Sequence, residues 1–579
     1  MTTLEIYADD LFIGGQWVKS GSGVFIDVTD PATEEIWAQV PAADEADINK
    51  AVAAASAAFR GKGWRDISAD ERGNYMRKLA DEFEARAEAL ANIITSENGT
   101  PISETRLAAG HGAGLLRYYA GLGDFVDKKD SRPYPDRPGH YTEVHRHPRG
   151  VAALIAPWNY PVALVMIKLA PALIAGCTVV IKPASETPLD LRILMEASVA
   201  AGHGAGLLRY YAGLGDFVDK KDSRPYPDRP DHYTEVHRHP RGVAALIAPW
   251  NYPVALVMIK LAPALIAGCT VVIKPASETP LDLRILIEAS VAAGLPEGVI
   301  NLVTCTRHTV GALVEHPDVA KVAFTGSTEV GRFLAEQCGR LLKPVTLELG
   351  GKSASIVLED ADLDFFAKSV TRTSLRNTGQ TCYNATRILA PQSRYDEVVD
   401  AVAHAVKNTQ QGDPFNEKTV FGPSASKKQF DTVTNYIKIG QEEGASVATG
   451  GSGRPEGLDR GYFAKPTVFA NVDNSMRVAQ EEIFGPVLVV VPYKNEQDAV
   501  RIANQSPYGL GGNIFTTDIH HGAELAAQIE TGSMGINFYA SNLAAPFGGW
   551  KDSGVGMEYG PEGINAYTRL QSIHRVGEL

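Results

Sequence analysis

Cysteine is scarce. The 579 residues hold five, Cys177, Cys269, Cys305, Cys338 and Cys382, and no two form a CxxC pair. So small and odd a set argues against a disulfide framework and against structural zinc, and it fits a reducing compartment such as the cytoplasm. Positive charge is also short: 55 Lys and Arg against 68 Asp and Glu leave a net charge of −13. That excludes the basic surface a nucleic acid or an anionic membrane would need. No long hydrophobic run is clean. The most apolar stretch, 150–181, is interrupted by Pro157, Asn159, Pro161, Lys168 and Pro171, which a lipid-exposed helix tolerates poorly. The first ten residues lack the basic start and apolar centre of a signal peptide. What remains is an ordinary globular composition, 44% hydrophobic and 21% charged, long enough for several domains.

A repeat dominates the chain. Residues 111–202 recur as 203–294, and only Gly139 against Asp231 and Met195 against Ile287 differ. Two long, barely diverged copies are no solenoid; they are a recent or engineered tandem duplication. A compact fold has one place for such a segment. An extruded insert is tolerable as a loop, because closure entropy grows slowly with length. The apolar faces of the surplus copy still need covering.

Elsewhere the pattern alternates strand and helix. Apolar strands are expected at 151–156, 178–182, 299–303, 321–324 and 344–347, with helices between them. That alternation predicts a parallel, doubly wound α/β sheet with ligands at the carboxyl ends of its strands. A second α/β run starts at Ser353. Ser68 to Glu71 is a capping box, followed by Met76, Leu79, Phe83, Leu90 and Ile94 at helical spacing. Residues 127–138 read as a polar linker and 141–147 as an exposed strand. On that strand His145 and His147 share a face, as either a metal pair or a solvated hairpin; no carboxylate or cysteine cluster completes a site.

Several turns carry chemistry. Asn377 to Cys382 is a small polar run ending in a thiol. Glu348 precedes Gly350 and Gly351. A thiol and a carboxylate beside glycines suit a nucleophile and a base on exposed turns; a buried hydrophobic cysteine is the plainer alternative. Phe324 to Gly331 closes a strand and opens a helix, a place where backbone can approach a pyrophosphate and the helix N-terminus favours an anion. Its spacing is not GxGxxG. Trp250 and Asn251 lie in a rigid turn between Pro249 and Pro253, repeated at 157–161. The amide is either structural or a donor to an oxyanion. Lys274, repeated as Lys182, follows a strand and could bond ribose hydroxyls or simply be solvated.

In their order, Pro249–Pro253, Lys274–Pro280, Phe324–Gly331, Glu348–Ser353, Asn377–Cys382, Glu481–Val487 and Pro546–Gly554 resemble the aldehyde dehydrogenase superfamily. The resemblance spans essentially the whole chain apart from the extra copy. It implies that Cys382 attacks an aldehyde carbonyl, that its backbone N–H and Asn251 or Asn159 hold the oxyanion, and that Glu348 activates water. Lys260, or Lys168, would stand behind the site in a proton relay. It implies NAD or NADP as cofactor and no metal. The cofactor residues would be Trp250, Lys274, Ser277, Glu278, Phe324, Gly326, Ser327, Gly331, Leu349, Glu482 and Phe484. Among these, Ser327 would meet the pyrophosphate, Lys274 the adenosine ribose, Glu482 the nicotinamide ribose and Phe484 the nicotinamide. It further implies a Rossmann-type cofactor domain at 1–128 and 241–350 and a catalytic domain at 351–555. The duplicated segment, 129–240, would hold an oligomerisation hairpin and the extruded insert, and 556–579 would close a homodimer or homotetramer.

Two departures from the family stand out. Ser277 stands where NAD-specific members often carry a glutamate, with Glu278 one residue later, which leaves room for NADP. Leu375 and Arg376 replace frequent aromatics at the substrate pocket. Leu256, Ile259, Tyr383 and Phe547 suggest a medium aliphatic or aromatic aldehyde. The second copy connects directly to 295 onward, so Asn251 and Lys274 are favoured over Asn159 and Lys182, with the helix at 111–126 from the first copy. The rival readings are an inactive oligomer whose extra copy blocks the cofactor, and a CoA-acylating dehydrogenase, against which Glu348 speaks.

Overall fold

The computed structural model describes residues 10–121, 130–155, 179–182 and 222–576, apart from 62, 65, 139, 149, 227–228, 277–278, 280–281, 306–308 and 543. Four helices come early: Glu45–Arg60, Ala69–Glu84, Ala87–Asn98 and Ile102–Ala120. The capping box forms as read. The Ser68 hydroxyl accepts from the Glu71 N–H at 3.2 Å, and the Glu71 carboxylate accepts from the Ser68 N–H at 2.8 Å. Met76, Leu79, Phe83, Leu90 and Ile94 are all buried in the core.

The first large sheet has the strand order Gly554–Val555, Val345–Glu348, Val319–Thr325, Gly242–Ile247, Gly150–Ile155, Val179–Lys182. Only its outermost pair, Gly554–Val555 with Val345–Glu348, is antiparallel. A parallel bridge between Ile247 and Lys274 ties it to Thr270–Ile273, which pairs with Ile300–Leu302. The helix Pro253–Ile266 is buried on every side, as its near-continuous apolar sequence requires. Both copies of the repeat contribute. The second supplies Gly242–Ile247, Pro253–Ile266 and Thr270–Ile273. The first supplies the later turns of Ile102–Ala120 and the strand Gly150–Ile155, which runs beside its own duplicate with Gly150 opposite Gly242 and Ala152 opposite Ala245. An extruded insert is expected within 129–240, with the sheet strands drawn from the second copy; instead Gly150–Ile155 and Val179–Lys182 of the first copy join the sheet, because they carry the same apolar strand sequence, and 156–178 and 183–221 lie outside the described residues.

A five-stranded sheet joins the two hairpins of the repeat, Asp130–Pro138 with His140–Pro148 and Asp222–Tyr226 with Arg229–Pro240, to the C-terminal strand Thr568–Val576. Both copies meet that last strand in one register: Thr568 faces Pro148 and Pro240, and Val576 faces His140 and His232. Residues 130–138 are thus a strand, not the linker expected, since the fixed φ of proline suits extended backbone.

The second large sheet runs Ser446–Thr449, Thr467–Ala470, Val487–Tyr493, Arg387–Pro391, Ala354–Val357, Gly512–Phe515, Gly535–Ile536, antiparallel only at its first pair. Leu363–Thr373 and Tyr395–Lys407 pack on one face, and Lys427–Glu442, Glu496–Asn504 and Ile519–Ala526 on the other. The helix from Tyr395 ends at Lys407, with Asn408 as its cap. Among the described residues Cys305, Cys338 and Cys382 are reduced thiols. Among the described residues no helix is long and apolar enough to cross a membrane, and no group of three His, Cys, Asp or Glu side chains is placed to hold a metal.

Candidate active site

The thiol sits after a strained turn. Asn377, Thr378 and Gly379 all take left-handed backbone, with φ of 51°, 55° and 79°. For asparagine that is uncommon, and for β-branched threonine it is costly. Hydrogen bonds hold the turn. Thr100 Oγ1 donates to Asn377 Oδ1 at 2.9 Å, the Gly422 N–H to Thr378 Oγ1 at 2.9 Å, and the Ala425 N–H to Gln380 Oε1 at 3.0 Å. Gly379 has no room for a side chain: a Cβ there would lie 2.0 Å from the Gly485 carbonyl oxygen. The result is a partly exposed Cys382 in the thiol form.

Glu348 is the last residue of its strand and is buried. The glycine pair after it lets the two motifs touch, for a Cβ on Gly351 would sit 2.4 Å from the Cys382 carbonyl oxygen. Asn251, also buried, follows the strand Gly242–Ile247. Its Nδ2 donates to the Gln380 carbonyl at 3.2 Å, and its own carbonyl accepts from Asn377 Nδ2 at 3.3 Å. Next to it, the Tyr252 hydroxyl lies 2.8 Å from Thr381 Oγ1. The turn from the second copy is therefore fastened to the cysteine turn, and a second N–H of the Asn251 amide stays available. Asn159 and Lys168 lie outside the described residues.

Aromatic rings surround the thiol. Tyr383 and Tyr539 meet at a tilt of 34° with centroids 4.8 Å apart, and Phe547 meets Tyr559 edge-on at 5.7 Å. Burial raises the Tyr539 phenol, the Ser533 hydroxyl pulls it back, and Tyr383, Cys382 and Glu348 push it further up. Cys382 and Glu348 thus both act on this one ring. Of the two residues that replace pocket aromatics, Leu375 is buried in the core of the second sheet and only Arg376 reaches Tyr383, beside the thiol. Behind the rings, buried Lys260 donates to Glu558 Oε1 at 2.9 Å and to the Thr325 hydroxyl.

The expected cofactor residues gather beside this centre. Ser327 is exposed at the turn after Val319–Thr325 and caps Thr328–Arg340, its hydroxyl accepting from the Val330 N–H at 3.4 Å. Gly326 lies in that turn and Gly331 packs on Leu349; Phe324 and Leu349 are themselves largely buried beneath it. Lys274 is buried at the end of its strand. Trp250 meets Phe484 edge-on at 5.6 Å. Glu482 accepts from the Gly351 N–H at 3.0 Å. Enclosure pushes its carboxyl up to about 7, against the pull of that N–H and of Lys352. Burial in turn pushes Lys352 down to about 7. Ser277 and Glu278 lie outside the described residues. An exposed helix N-terminus for an anion, a buried lysine and a half-buried carboxylate for hydroxyls, and two aromatics for a flat ring are a donor set that fits a dinucleotide.

Sequence reasoning missed Glu558, Tyr539 and Tyr559. A buried lysine requires a counter-charge, but nothing in the spacing of 298 residues points to Glu558 as the one.

A thiol turn, a carboxylate at the end of a parallel strand and an amide in the turn after its neighbour, beside a donor set suited to a dinucleotide, fit a nucleotide-dependent enzyme. The comparisons are specific. The model of the Aldehyde dehydrogenase family matches residues 17–218 and 202–573. The chain is 41% identical over 568 residues to the geranial dehydrogenase of Castellaniella defragrans, covering 98% of each. It is 38% identical to the Mycobacterium tuberculosis aldehyde dehydrogenase solved with NAD+, with a TM-score of 0.78 and 98% and 97% of the two chains covered. The Pseudomonas syringae aldehyde dehydrogenase C mutant solved with NAD+ and octanal shares 33% identity and the same TM-score and coverage. The chain belongs to the aldehyde dehydrogenase family. It is an NAD(P)-dependent enzyme that oxidises an aldehyde to the acid.

Proposed function

We propose that Cys382 is the nucleophile of this reaction and that the substrate is an uncharged, medium-length aliphatic or terpenoid aldehyde. The Cys382 sulfur adds to the carbonyl carbon. The Cys382 backbone N–H and the second N–H of Asn251 receive the oxyanion, each worth a few kcal/mol in such settings. NAD(P)+ bound at the donor set supplies the hydride acceptor. Glu348, close enough to share the field on Tyr539, takes a proton from water so that hydroxide cleaves the remaining thioester. Lys260 and Glu558 hold a proton path behind the site. Ser327 would bind pyrophosphate, Lys274 the adenosine ribose and Glu482 the nicotinamide ribose, with Trp250 and Phe484 flanking the ring.

The ring of Tyr383, Tyr539, Phe547 and Tyr559 around the thiol carries the substrate reading. Leu256 and Ile259, buried on the helix behind Asn251, continue its apolar wall. The relatives named for geranial and solved with octanal support it. Kinetics over a panel of aldehydes of rising length test it; a preference for two- or three-carbon aldehydes contradicts it.

Ser277, which carries no carboxylate, supports use of both NAD and NADP. Steady-state kinetics with each decides, and a preference of about a thousandfold either way removes dual use. The two separate large sheets support a division into a cofactor domain and a catalytic domain. The C-terminal strand paired with the repeat hairpins supports a homodimer or homotetramer built through that edge, and the acidic, cysteine-poor chain supports a cytoplasmic location.

A further inference from the structure

The loop between two early helices reaches across to the amide of Asn251. Ala87–Asn98 ends at Gly99, which takes left-handed backbone with φ of 73°, and Ile102–Ala120 begins after Pro101. Between them stands Thr100, only 2% exposed. Its N–H donates to Asn98 Oδ1 at 2.8 Å. The loop is closely packed: a Cβ on Gly99 would lie 2.3 Å from Pro423 Cγ, and one on Gly422 would lie 2.0 Å from the Gly99 carbonyl oxygen. The same Gly422 donates its N–H to Thr378 Oγ1. Loop and cysteine turn are thus pressed onto one support, although 277 residues separate Thr100 from Asn377.

Hydrogen bonds run in series from Thr100. Its Oγ1 donates to Asn377 Oδ1 at 2.9 Å, Asn377 Nδ2 donates to the Asn251 carbonyl at 3.3 Å, and Asn251 Nδ2 donates to the Gln380 carbonyl at 3.2 Å. A primary amide has one accepting end and one donating end. With Oδ1 toward Thr100, Nδ2 of Asn377 faces Asn251; the reverse orientation would set two carbonyl oxygens against each other. Asn377, Asn251 and Gln380 are all buried, where each such bond is stronger and its loss costs more. The backbone of Asn251 is therefore held by a side chain whose orientation answers to a hydroxyl outside the cysteine segment.

We propose that Thr100 is a positioning residue for the oxyanion amide: through Asn377 it fixes the backbone at Asn251, and so the place of the side-chain N–H that receives the oxyanion. Thr100 acts through two other residues and is not itself catalytic. The proposal rests on the reading of Asn251 as an oxyanion donor. Such a donor works only where the charge develops. A displaced amide leaves the ground state bound as before and the transition state less well held, so the effect falls on kcat and kcat/KM, not on KM.

The test measures kcat, and KM for hexanal and for NAD+, in the wild type, Thr100→Val, Thr100→Ala, Thr100→Ser, Asn251→Ala, and Asn251→Ala combined with Thr100→Val, each shown to be folded by circular dichroism. Thr100→Val keeps the shape and removes the hydroxyl; Thr100→Ala removes it without crowding. Both lower kcat about tenfold and leave each KM within about twofold of wild type. Thr100→Ser, which restores the hydroxyl, stays within about twofold of wild type throughout. In the Asn251→Ala background, Thr100→Val costs less than about a further twofold, because the amide that it places is gone. A kcat within about twofold of wild type in both Thr100→Val and Thr100→Ala overturns the proposal. So does a loss of about tenfold that persists in full without the Asn251 amide, or one that Thr100→Ser shares. Asn251→Ala alone separates the failures. If it keeps wild-type kcat, the oxyanion reading is wrong and the role of Thr100 falls with it; if it loses activity while the Thr100 variants do not, only the role of Thr100 is wrong.

Discussion

Lys260 and Glu558 form a buried ion pair at 2.9 Å, joining the helix behind Asn251 to the segment that carries Phe547. Removing one partner from such a pair leaves an uncompensated buried charge, whereas an apolar replacement of both can be nearly neutral. Lys260→Met is therefore expected to cost about 3–5 kcal/mol in urea unfolding. Adding Glu558→Leu should restore much of that loss without restoring activity. A single variant as stable as the wild type would show that the pair does not hold these segments together.

The pH dependence of cofactor binding follows from Glu482. Its carboxyl ionises at about 7, not near 4.5, because enclosure disfavours the charge. Only the ionised form accepts freely from hydroxyls. The KM for NAD+ should accordingly rise as pH falls from about 8 to about 6, and Glu482→Gln should raise KM and flatten its pH dependence. Folding shifts with the opposite sign: a raised carboxyl contributes stability that is complete below pH 4.5 and lost as pH rises through 7. A KM that stays level across that range in the wild type would remove Glu482 from the cofactor site.

Gly379 combines a left-handed φ with contact to Gly485. Gly379→Ala must move the Cys382 turn or the segment at 485. It should destabilise by about 1–3 kcal/mol and lower kcat by more than it changes KM for aldehyde. Crystallography or thermal unfolding would register the shift; wild-type kcat would mean the turn tolerates displacement.

Much of this was legible from local sequence. Gly351 follows Glu348 because the Cys382 carbonyl presses on it, and Gly379 precedes Cys382 because its left-handed backbone abuts Gly485; both needs are written into the residues themselves. Ser68 and Ser327 cap helices through side chains a few positions away. Strand and helix alternation exposed both large sheets. Long-range partners were not legible. Glu558 opposite Lys260 and Glu104 opposite Arg376 are set by tertiary packing, and no local spacing encodes it. Leu375 shows the same limit: its neighbour Arg376 faces the site while it turns into the core. The strand at 130–138 was lost behind its prolines.

The repeat makes a prediction of its own. Asn251 of the second copy bonds the Gln380 carbonyl. Asn251→Ala is expected to lower kcat/KM by about 100- to 1,000-fold, and Asn159→Ala to leave it near wild type. The reverse pattern would assign the site to the first copy.

The central claim is that the sulfur of Cys382 carries the reaction. Its most direct test is NADH formation by Cys382→Ala, with the variant shown to be folded by circular dichroism. Turnover should drop by about four orders of magnitude or more; activity within about tenfold of wild type would contradict the account.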